Sequence, residues 1–314
     1  MYRAEFPCDL HTHTNRSDGN DTCRELIDFA SGAGIEILAL TDHDIIAPET
    51  IEADGNPVEI TDYAGSEGVT LLRGIEFSCD TAVEDVHIIA LGCDYGDPFF
   101  EREYQNSISS KIDGYRELCR LLTQDGMEID WTEDILLRGE RSESAVQRKH
   151  IFETMARKGY VKEWSEAKLL VKNTESYSVK RKKPDPAEII QNIRAAGGIS
   201  VLAHPYLIDE EASREGKPIS RERYIDYLIE AGLNGVEVSY PYDKTSYGGT
   251  MPADLIEDTV RRLYEDRVPV LSGGSDYHNE GKKGSKNPRM LGEKGITTEY
   301  FMNNSLLRGL LIKK

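Results

Sequence analysis

The sequence is short of basic side chains, with 38 Lys and Arg against 56 Asp and Glu in 314 residues, a formal charge of −18. A surface that neutralises nucleic-acid phosphates needs the opposite balance, so long nucleic-acid substrates are disfavoured, although a local basic groove remains compatible with it. The excess of acid reads most simply as a solubility feature. Long apolar runs are also missing: no stretch approaches the roughly 18 residues that span a bilayer, and the opening Met1-Tyr-Arg-Ala-Glu-Phe-Pro has no apolar signal region. The expectation is a cytoplasmic protein with no membrane partner. Cysteine is scarce as well. The five, at 8, 23, 79, 93 and 119, are odd in number and lack C-x-x-C spacing, which argues for reduced thiols rather than a disulfide framework. Cys8, Cys79 and Cys93 fall in apolar runs and read as buried residues.

What is present is a recurring unit: a helical segment, a glycine, a short apolar run, then a polar residue able to bind a ligand. Thr22-Cys23-Arg24-Glu25 has the form of a capping box and opens a helix that ends at Gly32 or Gly34. A second helix, 186–196, stops at Gly197-Gly198. Strands are expected at 4–10, 35–40, 69–72, 86–91, 199–203, 235–238 and 268–271. Helices alternating with short apolar strands indicate βα units and a parallel sheet, whose active site lies beyond the carboxyl ends of the strands. About seven strands favour a barrel-like closure over an open sheet. Residues 99–185 differ. They carry helical periodicity, little strand signal and a basic run, Lys180-Arg-Lys-Lys183, that reads as a solvated linker. They are expected to form a helical insertion covering or flanking the site, in a barrel domain made of 1–98 and 186–314.

Histidine is scarce too, and its placement is informative. Of the seven, at 11, 13, 43, 87, 150, 204 and 278, all but His150 sit at expected strand ends or in apolar strands beside carboxylates. In His11-Thr-His13 alternate residues of an extended segment point the same way, so both imidazoles can reach one metal. Asp18 follows in the next loop. His43 lies between Asp42 and Asp44, either of which could accept its second ring N–H. Glu76 is expected to end the third strand, where a carboxylate could bridge two ions. His87 lies in an apolar run and needs a partner; His204, Asp276 and His278 complete the set. Singly, each is weak evidence. Together, nine candidate ligands on seven strand ends point to a metal centre.

Asp9-Leu-His-Thr-His-Thr, Ser17-Asp-Gly, Thr41-Asp-His-Asp, Gly74-Ile-Glu, Val86-His-Ile, Ala203-His-Pro and Ser275-Asp-Tyr-His resemble, in order, the motifs of the PHP (polymerase and histidinol phosphatase) superfamily of metal-dependent phosphoesterases. The resemblance implies an α/β fold, a distorted (β/α)7 barrel with a helical insertion domain. It also implies two or three divalent ions (Mn²⁺, Fe²⁺ or Zn²⁺) held by His11, His13, Asp18, His43, Glu76, His87, His204, Asp276 and His278. Asp18, Glu76, His43 and His278 would carry catalysis, with a metal-bridging hydroxide attacking phosphorus. In the stand-alone subgroup an Arg-x-His holds phosphate. Here that is Arg148 and His150, which can act together only at a helix start or in a loop; Arg16 is a further candidate. Tyr206, Tyr240 and Tyr242 follow later strands and could line the pocket. The implied substrate is small: a nucleotide such as AMP, a nucleoside bisphosphate, or a sugar or cyclic phosphate. A 5′→3′ exonuclease on short RNA or DNA and a C–N amidohydrolase stay open as alternatives. Nothing in the sequence speaks to oligomeric state.

Overall fold

The structure is a computed structural model that describes residues 2–312. In chain order the strands are β1 (Cys8–Asp9), β2 (Ile37–Leu40), β3 (Thr50–Ala53), β4 (Asn56–Glu59), β5 (Thr70–Cys79), β6 (Val86–Leu91), β7 (Ile199–Leu202), β8 (Glu211–Arg214), β9 (Lys217–Ser220), β10 (Gly235–Ser239) and β11 (Val270–Gly273). Seven of them form one sheet in the order β1-β2-β5-β6-β7-β10-β11, and β3-β4 and β8-β9 are separate hairpins. The sheet's two edges approach each other: Leu10 N donates to Gly273 O (3.2 Å) and His13 N to Tyr277 O (2.9 Å). The result is an α/β fold with a nearly closed, distorted seven-stranded barrel.

All seven expected barrel strands are present, with three differences. Strand β6 pairs antiparallel with both β5 and β7, so the sheet is mixed. Strand β5 does not stop at Glu76. It runs on to Cys79, because the antiparallel hairpin with β6 supplies partners for the extra residues. Strand β1 is only two residues long, although residues 4–10 are apolar enough for more. Ala4 N donates to Ala33 O, and the N–H groups of Glu5 and Phe6 both go to Gly292 O, while Pro7 has no N–H to offer a ladder.

The helices bear out the punctuation. Helix α1 (Cys23–Ala33) has the reciprocal Thr22–Glu25 capping box and ends at Gly34 in the left-handed region, φ +85°. Counting onward, α2 (Ile60–Ser66), α3 (Pro98–Gln124), α4 (Arg148–Arg157) and α5 (Trp164–Asn173) precede α6 (Pro186–Ala195), with Asp185 capping two N–H groups and Pro186 at the first helical position. Barrel strands are buried on both faces, which explains why they read as continuous apolar runs rather than alternating ones. Chain contacts divide the molecule into one compact unit of Met1–Phe100 with Pro184–Lys314 and another of Glu101–Lys183. The second has its own core, in which Leu118 and Leu122 of α3 pack with Ile151, Phe152 and Met155 of α4. Cys93 is half-buried just beyond β6, outside any strand, and the other four thiols are buried. Among the described residues no helix is long and apolar enough to cross a membrane.

Candidate metal centre

Beyond β1 the chain stays extended. Thr12 turns away from the barrel end, its N–H bonded to Thr41 Oγ1 (3.0 Å) and its hydroxyl to Ala39 O (2.6 Å). His11 and His13 therefore share the opposite face, as their alternation requires. The loop after β11 lies hard against them. A Cβ added to Gly274 would come within 2.6 Å of His11 N, so only glycine permits this approach. Asp42 accepts from Thr14 N (2.8 Å), Thr14 Oγ1 (2.7 Å) and Ser17 Oγ (2.6 Å), which closes the loop carrying Asp18. Asp44 accepts from Ser78 N (2.8 Å). The expectation that one of these aspartates orients the His43 ring gives way to another arrangement: His43 Nδ1 faces Glu76 Oε2 at 2.9 Å.

Glu76 is the hub. Its Oε1 is 3.2 Å from His11 Nε2, 3.1 Å from His87 Nδ1 and 3.1 Å from His204 Nε2, and its Oε2 is 3.2 Å from His13 Nε2. Strand direction explains His87. It is the second residue of the antiparallel β6, so the start of that strand lies at the same barrel end as the carboxyl ends of its neighbours. Asp276 presents Oδ1 to His13 Nε2 (3.1 Å) and His278 Nδ1 (3.3 Å). Its Oδ2 is held by Tyr240 Oη (2.8 Å) and by the guanidinium of Arg289. Asp18, the most exposed member, reaches His278 Nε2 at 3.0 Å.

These nine side chains make four overlapping groups whose nitrogen and oxygen atoms lie within 4.8 Å of one another: His13-Asp18-His43-His278, His11-Glu76-His204, His11-His13-Asp276 and His43-Glu76-His87. Six buried side-chain nitrogen and oxygen atoms among the described residues lack a hydrogen-bond partner, and all six belong to this cluster: His11 Nε2, both ring nitrogens of His13, His43 Nδ1, Glu76 Oε2 and His204 Nδ1. Orphaned buried polar atoms are rare because each loses its hydration without compensation. Six of them converging in one place fit a set of donors for divalent cations, and the mixed imidazole and carboxylate set suits transition metals better than an all-oxygen calcium site.

The groups also perturb one another. Burial would neutralise Glu76, but the rings of His11, His43 and His87 outweigh it and hold the carboxyl well below the usual range. Burial opposes the charged form of His43, yet Glu76 and Asp18 hold its pKa up at about 10. For His87, burial wins and its pKa is lowered.

A cavity of about 350 Å³ opens onto the cluster, with Asp18, His43, His87, His204, Asp276 and His278 in its wall. Tyr240 lines it too, while Tyr206 and Tyr242 are buried in the core, where Tyr242 Oη accepts from Tyr206 N. Arg16 is exposed on the Asp18 loop. Arg148 and His150 belong to the second unit, in the first turn of α4, where His150 Nδ1 accepts from Gln147 N (3.0 Å). Both are thus at a helix start. Three residues escaped sequence reading: Arg289 and Lys244 in the cavity wall, and Glu237 behind His11. Glu237 alone left a trace, a glutamate inside an apolar strand.

A model of the PHP domain matches residues 9–180. The 3′,5′-nucleoside bisphosphate phosphatase of Chromobacterium violaceum is 28% identical over 279 residues, covering 88% of this chain and 88% of that one. The phosphoribosyl 1,2-cyclic phosphate 1,2-diphosphodiesterase of Eggerthella lenta is 30% identical over 285 residues, covering 87% and 94%. A solved structure from Bifidobacterium adolescentis, described as that of a candidate metal-dependent phosphoesterase, superposes with a TM-score of 0.64 at 25% identity over 99% of this chain and 97% of that one.

Proposed function

The chain belongs to the PHP domain family, and from that premise we propose that it is a metal-dependent phosphatase of small phosphorylated substrates, with a nucleoside bisphosphate as the favoured class. The observation that carries the reading is the gathering of six unpartnered buried ligand atoms in one cluster, of which His43 and His204 also line the cavity. The nine clustered side chains would hold two or three ions, Mn²⁺, Fe²⁺ or Zn²⁺. Bound divalent ions make hydroxide available near neutral pH and neutralise phosphoryl oxygens.

The residues divide by position. Glu76, fully buried, forms the floor and faces five histidines. Asp18, His43 and His278 stand in the cavity wall, on the side from which a phosphate would enter. Arg16 is exposed beside them, and the family resemblance adds Arg148 and His150 as phosphate-binding groups. Bisphosphates are favoured because the relative from C. violaceum, matched along nearly the whole chain, is named for them; the E. lenta relative makes a cyclic sugar phosphate the next class.

The test is phosphate release from nucleoside mono- and bisphosphates, sugar phosphates, cyclic phosphates and short oligonucleotides, using Mn²⁺-loaded and chelator-stripped protein. Metal-dependent release confined to bisphosphates is expected. Turnover of oligonucleotides alone would transfer the reading to an exonuclease, and silence across the panel would overturn phosphoester hydrolysis.

A further inference from the structure

Glu237 sits in the middle of β10 with no exposure, and the chemistry above leaves it without a task. Its carboxylate joins two candidate ligands far apart in the sequence, His11 and His204. Oε1 lies 3.1 Å from His11 Nδ1 and Oε2 lies 3.4 Å from the same atom, while Oε2 also accepts the main-chain N–H of His204 at 2.8 Å. A carboxylate is an acceptor only, so His11 Nδ1–H donates to it and the Nε2 lone pair is turned toward the cluster. That Nε2 is one of the unpartnered buried atoms and faces Glu76 Oε1. His204 has φ +30° and ψ 58°, a left-handed conformation that a non-glycine residue adopts only when held. Its ring stacks on His11 with centroids 5.7 Å apart, and its Nε2 meets the same Glu76 oxygen. One buried carboxylate therefore sets the tautomer of one ring and the backbone that aims the other.

We infer that Glu237 is a positioning residue that builds the His11-Glu76-His204 group into a metal site by orienting both histidines at once. The inference rests on reading the nine-residue cluster as a metal centre, so its test reads metal binding directly. Mn²⁺ binding is measured on full-length wild-type, Glu237→Ala and Glu237→Gln protein by chelator competition, with ions per chain counted after dialysis and the unfolding of each stripped protein recorded. Loss of such an outer partner weakens metal binding by about 10–100-fold. Glu237→Ala should show that loss at one site while still unfolding cooperatively. Glu237→Gln keeps one acceptor oxygen in place of two and loses the charge, and should fall between. Should Glu237→Ala not fold, the near-isosteric Gln variant carries the test by the same measurement. Equal Mn²⁺ affinity and stoichiometry in the folded variants and the wild type would overturn the role of Glu237. A wild type that binds no stoichiometric Mn²⁺ would instead overturn the metal-centre reading beneath it.

Discussion

Replacing Glu76 by Gln changes almost no volume, yet it should disable the protein. The two oxygens of Glu76 serve different neighbours: Oε1 meets His11, His87 and His204, and Oε2 meets His13 and His43. The residue belongs to two of the four candidate metal groups, His11-Glu76-His204 and His43-Glu76-His87. An amide offers one oxygen, so whichever way it turns, either His11, His87 and His204 or His13 and His43 meet an NH₂ that points hydrogens at their lone pairs. At least one ion per chain should be lost. A divalent ion at a phosphoryl centre supplies several kcal/mol of charge stabilisation. At about 1.4 kcal/mol per decade, a loss of about 4 kcal/mol corresponds to a fall in kcat of about a thousand-fold. The assay pairs elemental analysis after dialysis with steady-state phosphate release from a bisphosphate in excess Mn²⁺. A Glu76→Gln protein that keeps its full ion count and stays within about tenfold of wild-type kcat would refute the bridging role.

Stripping the metal should destabilise the barrel, because ions bind only the folded arrangement of donors brought together from β1 to the loop after β11. At a free ion concentration a hundredfold above Kd, each site contributes about 2.7 kcal/mol, so chelator should lower the thermal midpoint by several degrees; an unchanged midpoint would argue that the cluster binds no ion. Arg148→Ala should lower kcat/KM by about 10–100-fold, the loss of a charged hydrogen bond of about 1.5–3 kcal/mol to phosphate, without moving the melting temperature. Unaltered kcat and KM would remove Arg148 from the phosphate site.

The sequence disclosed the side chains of the cluster better than their setting. His11 and His13 were legible because a two-residue alternation survives wherever the chain is extended, as it is even beyond the end of β1. The direction of β6 was not legible. Val86-His-Ile-Ile-Ala-Leu reads the same whichever way the strand runs, and only its pairing with β5 and β7 reveals that His87 starts rather than ends it. Glu76 was placed at a strand end for the same reason, since the three further residues of β5 owe their strand state to that antiparallel partner. Glu237 left only the trace of a glutamate in an apolar strand: Val-Glu-Val also reads as a half-exposed alternating strand, yet all five residues of β10 are buried. Arg289 reaches Asp276 from an irregular loop with no periodicity to read. Long-range partners of this kind are fixed by tertiary contact, on which local pattern is silent.

Charge reconciles an acidic chain with a phosphate substrate. The cluster holds three carboxylates, Asp18, Glu76 and Asp276, and six imidazoles that are neutral when they serve as ligands. Unloaded, those carboxylates face an incoming phosphate with the same sign. Two divalent ions would leave the centre one charge positive, and three would leave it three charges positive. The remaining cavity wall adds no positive charge, because Arg289 is tied to Asp276 and Glu280, Lys244 is tied to Glu293, and Asp85 contributes one more acid. The distant part of the −18 charge is screened over about 8 Å at physiological ionic strength. Attraction for phosphate at the barrel end is thus a property of the loaded site rather than of the chain's surface. By linkage, a substrate that binds the loaded site more tightly must also make the ions harder to remove. The acidity that disfavours long nucleic acids is then compatible with small phosphate esters, which touch little beyond the centre itself.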